Sequence, residues 1–185
     1  MESSAAGRAY MNPIWKEDSG ATIFVGNDTA ARGPSSKLSE AGITHIVNCT
    51  DDLPNYCSGS GAISYLKFNV ASWRAAGAKD YLREAPHDDV IAHIDRMLAW
   101  VDKALEGGGN VLIHCLAGAH RAGTTGILCL MHKSKGSLGA VEATAIAQRA
   151  RPIIEPIYDF AECLQVYEAA SKVKRPGQGA RADQG

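Results

Sequence analysis

The segment Asn110-Val111-Leu112-Ile113-His114 sets the tightest limit on what this chain can become. It is too short for a buried helix, and three successive large apolar side chains leave no polar face for solvent. The run therefore reads as a strand covered on both sides, the kind found in mainly parallel sheets whose crossovers are helices. Gly107-Gly108-Gly109 punctuates the chain before it, and Gly118 and Gly123 follow closely. Other strands are predicted at Thr22–Gly26, Ile43–Cys49 and Ile63–Val70. A short helix is expected over 36–41, stopped by Gly42 in a left-handed conformation. Val90, Ile91, Ile94, Leu98, Val101 and Leu105 recur at helical spacing, with Asp88 where an N-cap belongs. Three further helices are predicted at 122–134, at 138–150 with Ser137 as N-cap, and at 157–171 with Pro156 in the first turn. The expected fold class is α/β: a central, mainly parallel sheet of four or five strands flanked by helices on both faces.

Composition bounds the function. With 185 residues, 45% of them apolar and 21% charged, the chain has material for one well-buried core. Residues 21–171 are expected to form it. Residues 1–20, small and polar, read as a flexible N-terminal arm, with Ile14 and Trp15 pinned to the body. Residues 172–185 lack periodicity and read as a disordered tail. A net charge of −1 offers no field for nucleic acid. No apolar run reaches the roughly 18 residues of a membrane span, and Met1–Arg8 has no apolar stretch of a secretory signal. Five cysteines, an odd number without CxxC pairs, read as reduced thiols of a cytoplasmic protein, with the nucleus as the alternative compartment. A monomer is expected.

The chemistry is concentrated in His114-Cys115-Leu116-Ala117-Gly118-Ala119-His120-Arg121-Ala122-Gly123-Thr124. A buried strand ends at Cys115, a glycine-containing loop follows, and a helix begins near Arg121. A strand–loop–helix turn collects backbone N–H groups in one concavity at the helix N-terminus, a ready anion site. The same positive end favours Cys115 as thiolate, and Arg121 adds a fixed charge. An anion cradle around a thiolate defeats itself unless the anion is electrophilic, as the phosphorus of a phosphate monoester is. Cys115 would attack phosphorus, Arg121 would hold two equatorial oxygens, and water would release phosphate from the phosphocysteine. Neither step calls for a metal or cofactor. Three other readings compete. Cys115 would be a plain core residue and Arg121 a surface one. A nucleotide-binding P-loop would need lysine where Thr124 stands. A metal site from His114, Cys115 and His120 lacks the paired spacing that zinc prefers.

These residues resemble the cysteine-dependent protein tyrosine phosphatases, specifically the small atypical dual-specificity branch. The HCx5R signature runs from His114 to Arg121, with Ala117-Gly118 as the usual filling. Ile23-Phe24-Val25-Gly26 and Gly42–Asn48 match the family's opening strands. Trp100-Val101-Asp102, thirteen residues before the cysteine at Asp102, matches the helix leading to the signature strand. Arg151-Pro152-Ile153-Ile154, then Phe160 and Leu164, resemble its closing Arg-Pro and last helix. The resemblance covers about residues 21–170. It implies that Cys115 is the nucleophile and Arg121 the phosphate clamp. Backbone N–H groups of Leu116, Ala117, Gly118, Ala119, His120 and Arg121 would form the cradle. His114 would tune the thiolate from beneath the loop, or serve as an ordinary core histidine.

Two departures stand out. Family members usually carry a hydroxyl just after the arginine, which bonds to the sulfur and eases its departure; here that position is Ala122. They also place an aspartate shortly after the strand corresponding to Tyr65–Val70 as general acid, whereas this chain has Ala71-Ser72-Trp73 and a longer loop. Asp80 is the preferred candidate acid. Glu84, Asp88 and Asp89 are the alternatives, as is no acid at all. Of the rest, Cys49, Cys129 and Cys163 read as core. Cys57 reads as incidental or as a disulfide partner for oxidised Cys115. Asn48 either braces the phosphate loop or caps its strand. His120 either tilts the pocket rim towards anions or faces solvent, and Trp73 and Arg74 line the substrate rim or pack the loop. The expected function is hydrolysis of phosphotyrosine, with phosphoserine and phosphothreonine as further substrates, on phosphorylated proteins. The alternatives are a phosphatase of phosphoglucan or nucleotide, and a poorly active phosphoprotein binder.

Overall fold

The computed structural model describes residues 10–32, 35–75 and 87–173. Its sheet contains β1 (Met11–Lys16), β2 (Thr22–Gly26), β3 (Ile43–Asn48), β4 (Ser64–Lys67) and β5 (Asn110–His114) in the order β1-β2-β5-β3-β4. β1 runs antiparallel to β2, and every other pair is parallel. β5 thus occupies the centre, where its apolar run requires it to be. Alternate residues face opposite layers: Val111 and Ile113 join the larger core, Leu112 the smaller. β3 divides likewise, with Val47 on one side and Ile46 on the other, and Cys49 just beyond it joins Val47.

Helices cover both faces, as expected. α1 (Asp28–Arg32) and α2 (Ser35–Glu40) bring Ala30, Ala31 and Leu38 against Ile43, Ile46 and Leu112. The larger core lies under α3 (His87–Glu106), α4 (Arg121–Lys133), α5 (Ala140–Ala150) and α6 (Phe160–Val173). The helically spaced apolar residues of α3 are all buried, each side chain of Leu or Ile size contributing about 1.5–3 kcal/mol by leaving water. Gly126 lets α4 lie close to the sheet, since a Cβ there would stand 2.6 Å from Val25 Cγ2 and 2.9 Å from Ile14 Cδ1. At the N-terminal end of β5, Asn110 accepts from Thr22 N–H (2.8 Å) and donates to the Ala41 carbonyl (2.7 Å), joining β5 to the start of β2 and to the turn before β3.

Several expectations need correction. Within the stretch read as a flexible arm, Met11–Lys16 is an edge strand paired to β2, with Ile14 buried against α4. Pro13 is tolerated there because only one side of an edge strand is paired, and the register shifts between Pro13 and Trp15. α3 starts at His87, so Asp88 and Asp89 lie in its first turn rather than capping it, still favourably placed for the helix dipole. The N-cap of α5 is Gly139, not Ser137. α6 starts at Phe160 because Tyr158 adopts a left-handed backbone (φ 55°) that no helix can pass through. Val70 belongs to a 3-10 turn, Val70–Ala75, rather than to β4.

Candidate active site

The C-terminal ends of the parallel strands carry the loop that joins β5 to α4. Its carbonyls from Leu116 to His120 are each engaged by other parts of the chain. Leu116 accepts from the Asp28 N–H (3.1 Å) and Ala119 from the Glu155 N–H (3.3 Å). Arg151 donates to Ala117 through Nη2 (3.1 Å) and to Gly118 through Nε (2.8 Å). His120 accepts from both the backbone and the hydroxyl of Thr124, each at 2.8 Å. In a planar trans peptide the N–H points opposite to the C=O. Five consecutive outward carbonyls, from Leu116 to His120, therefore turn the N–H groups of residues 117–121 inward. That of Gly118 donates to Cys115 Sγ at 3.3 Å. Among the described residues, the N–H groups of Ala117, Ala119, His120 and Arg121 meet no protein acceptor. The loop is a bowl of donors with a sulfur among them.

Local sequence explains the shape. Gly118 has φ +68°, and a Cβ there would lie 2.4 Å from the Gly26 carbonyl oxygen and 2.9 Å from Arg151 Nη2. Gly123 makes room for Ile154, whose Cγ2 would stand 2.9 Å from an added Cβ. Cys115 is 3% exposed and packs with the larger core. Arg121 is the first residue of α4, half-buried, with no side-chain hydrogen bond or ion pair to any described residue. Arg151 is buried and also donates to Asn12 Oδ1 (2.8 Å), linking β1 to the loop. Burial lowers its pKa, and the nearby Cys115 charge opposes that shift.

His114 follows Ile113 on the opposite layer of the sheet and is fully buried. Neither ring nitrogen has a side-chain or backbone partner of normal geometry among the described residues. Burial holds its pKa down to about 4, partly countered by the Cys115 backbone, so the ring is neutral. His120 sits at the N-cap of α4 without capping it. Its Nδ1 donates to the Glu155 carbonyl at 2.7 Å, since a carbonyl can only accept. The Thr124 hydroxyl is spent on the His120 carbonyl, and Ala122 is fully buried.

The remaining candidates divide. Asp80 and Glu84 lie outside the described residues. The hydrogen bonds of the Asn48 side chain go elsewhere than the loop: it donates to the Leu53 carbonyl and to Asn55, accepts from Thr50, and so organises residues 50–55. Trp73 Nε1 and Arg74 Nε both donate to Asp159 Oδ2, at 3.0 and 2.9 Å, tying the turn after β4 to the start of α6. Cys57 is half-buried, its N–H on the Tyr65 hydroxyl. The bracing set of Arg151, Asp28, Glu155 and Asn12 was not legible as such. Its one advance signal is an arginine before proline between two helices, since a guanidinium confined to an apolar turn needs acceptors nearby.

A mostly parallel five-stranded sheet, and a CX5R loop folded into a donor bowl at its C-terminal edge, define the architecture of the cysteine-based phosphatase superfamily. The family model "Dual specificity phosphatase, catalytic domain" matches residues 23–170, and the chain belongs to that family, in its atypical branch. It is 30% identical over 155 residues to Dual specificity protein phosphatase Mpk3 of Drosophila melanogaster, covering 84% of this chain and 34% of that one. Human Dual specificity phosphatase 28 is 28% identical over 158 residues, covering 85% of this chain and 80% of the relative. The crystal structure of human DUSP28 superposes with a TM-score of 0.65 at 25% identity, over 89% of this chain and 96% of that one. The chain thus spans about a third of the length of the Mpk3 relative. No helix among the described residues is long and apolar enough to cross a membrane.

Proposed function

We propose that this chain is a metal-independent protein phosphatase acting on phosphotyrosine, with phosphoserine and phosphothreonine as further substrates. The observation that carries the reading is the inward row of N–H groups around Cys115, four of them without a protein partner. Such a row binds an oxyanion, and a sulfur nucleophile among them gives that anion something to react with. In the first step the Cys115 thiolate forms an S–P bond as the P–O bond to the leaving group breaks. The leaving oxygen takes a proton from Asp80, the acid we assign. Arg121 and the N–H groups hold the three equatorial oxygens, whose charge shifts in the transition state. In the second step water attacks phosphorus, loses its proton to the same carboxylate, and the S–P bond breaks to return the thiolate. The reading includes a monomer acting in the cytoplasm or nucleus.

A second reading, a slow enzyme that mainly holds phosphoproteins, draws support from Ala122 and from the engagement of the Thr124 hydroxyl elsewhere. The test is hydrolysis of an aryl phosphate in EDTA. Activity that disappears in Cys115→Ser supports catalysis, and an unchanged rate in that variant refutes it. Phosphocysteine that accumulates quickly and decays slowly would mark the second reading. Asp80→Asn should slow alkyl phosphates by about 100-fold and aryl phosphates far less, because an acid matters most for a poor leaving group.

A further inference from the structure

We propose that Leu116, Ile153 and Tyr158 form an apolar rim that selects substrates with an apolar side chain beside the phosphorylated residue. The inference deepens the phosphatase reading and rests on it. Among the described residues five large apolar side chains are half exposed or more, and three of them are Leu116 (62%), Ile153 (52%) and Tyr158 (90%). Leu116 belongs to the loop that forms the bowl. Ile153 and Tyr158 belong to the strap of residues 151–158, which is hydrogen-bonded along that loop through Arg151, Glu155 and His120. All three therefore lie either on the loop that forms the bowl or on the strap bonded to it.

Tyr158 is the most telling. Its φ of 55° lies in the left-handed region, which aromatic residues rarely adopt and which asparagine or glycine fills more readily. Its ring is 90% exposed, so packing does not repay the awkward backbone. Neither local conformation nor the core therefore accounts for tyrosine there, and a strained residue on the strap bonded to the loop is an argument for a role at that loop. Its mounting is firm. Ile154 is buried beneath Gly123 and Phe160 is buried in the larger core. Asp159 receives Trp73 and Arg74, and Arg74 also reaches Glu162. A side chain with only two rotatable torsions, on a backbone held at both sides, loses little freedom when a ligand covers it, which favours selection by contact. The occupant is an apolar side chain of the phosphorylated segment, because the three rim groups offer hydrocarbon and the nearby Asp159 and Glu162 carboxylates are already paired with Arg74.

The test compares phosphotyrosine peptides that differ only in whether leucine, serine or lysine flanks the phosphotyrosine. The expected result is a preference of about tenfold in kcat/KM for leucine, the scale on which an apolar pocket discriminates. Tyr158→Asn, which suits the left-handed backbone, should cut the preference to twofold or less, and Ile153→Ser should lower it independently. Val141→Ser, on α5, should leave it intact. Equal rates on all three peptides, a preference for lysine, or full discrimination in both rim variants would overturn the proposal. Binding of the same peptides to Cys115→Ser, followed by fluorescence anisotropy, separates the two levels. A leucine preference in binding without wild-type turnover sinks the phosphatase reading and keeps the rim. Equal binding of the three peptides sinks the rim even if turnover is rapid.

Discussion

Replacing Arg151 with leucine removes donors from the Ala117 and Gly118 carbonyls and from Asn12. Hydrogen bonds from a charged group contribute about 1.5–3 kcal/mol each, and the Ala117 carbonyl, on an exposed residue, can be partly satisfied by water. The Gly118 carbonyl and Asn12 are less accessible, so the net loss should be about 3–5 kcal/mol, within the range for breaking a buried charged network. The effect on turnover comes from orientation. Without Arg151 two of the five outward carbonyls lose their anchors, and the N–H groups of Gly118 and Ala119 are no longer held inward. A displacement of about 1 Å in such donors costs on the order of 100-fold in kcat/KM. Arg151→Lys supplies one point charge in place of a planar fork and should fall between the two proteins in both respects. Urea unfolding gives the stability, and aryl phosphate turnover at low temperature, normalised to the folded fraction, gives the rate. A folded Arg151→Leu protein with wild-type kcat/KM would refute the reasoning.

Three further outcomes are expected. Gly118→Ala should destabilise the protein by about 2–4 kcal/mol in urea melts and abolish most turnover, because its Cβ meets the Gly26 carbonyl and φ is +68°. Ala122→Ser should raise the decay rate of phosphocysteine, measured by rapid quench, by about tenfold, since a hydroxyl there can donate to the departing sulfur while that of Thr124 cannot. The third outcome concerns pH. His114 titrates near 4 when folded and near 6.5 when exposed, so between these values the unfolded chain binds a proton that the native chain excludes. Stability is therefore complete above about pH 6.5 and declines as pH falls towards 4, by at most about 3 kcal/mol. His114→Leu should flatten that part of the stability profile, and an unchanged slope would count against this assignment.

The layering of the molecule was legible in the chain because it follows from periodicity. Three adjacent apolar residues in β5 require cover on both sides, and the spacing in α3 requires one buried stripe. Cys115, the glycines and Arg121 were legible because a strand, a tight turn and a helix start each have local composition rules. β1 was not, since an edge strand containing Pro13 carries little alternation and is held by pairing to β2 rather than by its own preferences. The start of α6 was missed for a related reason: Pro156 signals a first turn, but Tyr158 has a left-handed backbone that only the surrounding anchors impose.

Sequence by itself thus determined the kind of layers, the position of Cys115 at the end of the central strand and the residue types in the loop. Tertiary structure alone decided which way that loop faces. Peptide orientation depends on what takes the carbonyls, and here the partners come from Asp28, Arg151 and Glu155, distant in the chain and brought together only when the sheet and its crossovers have packed.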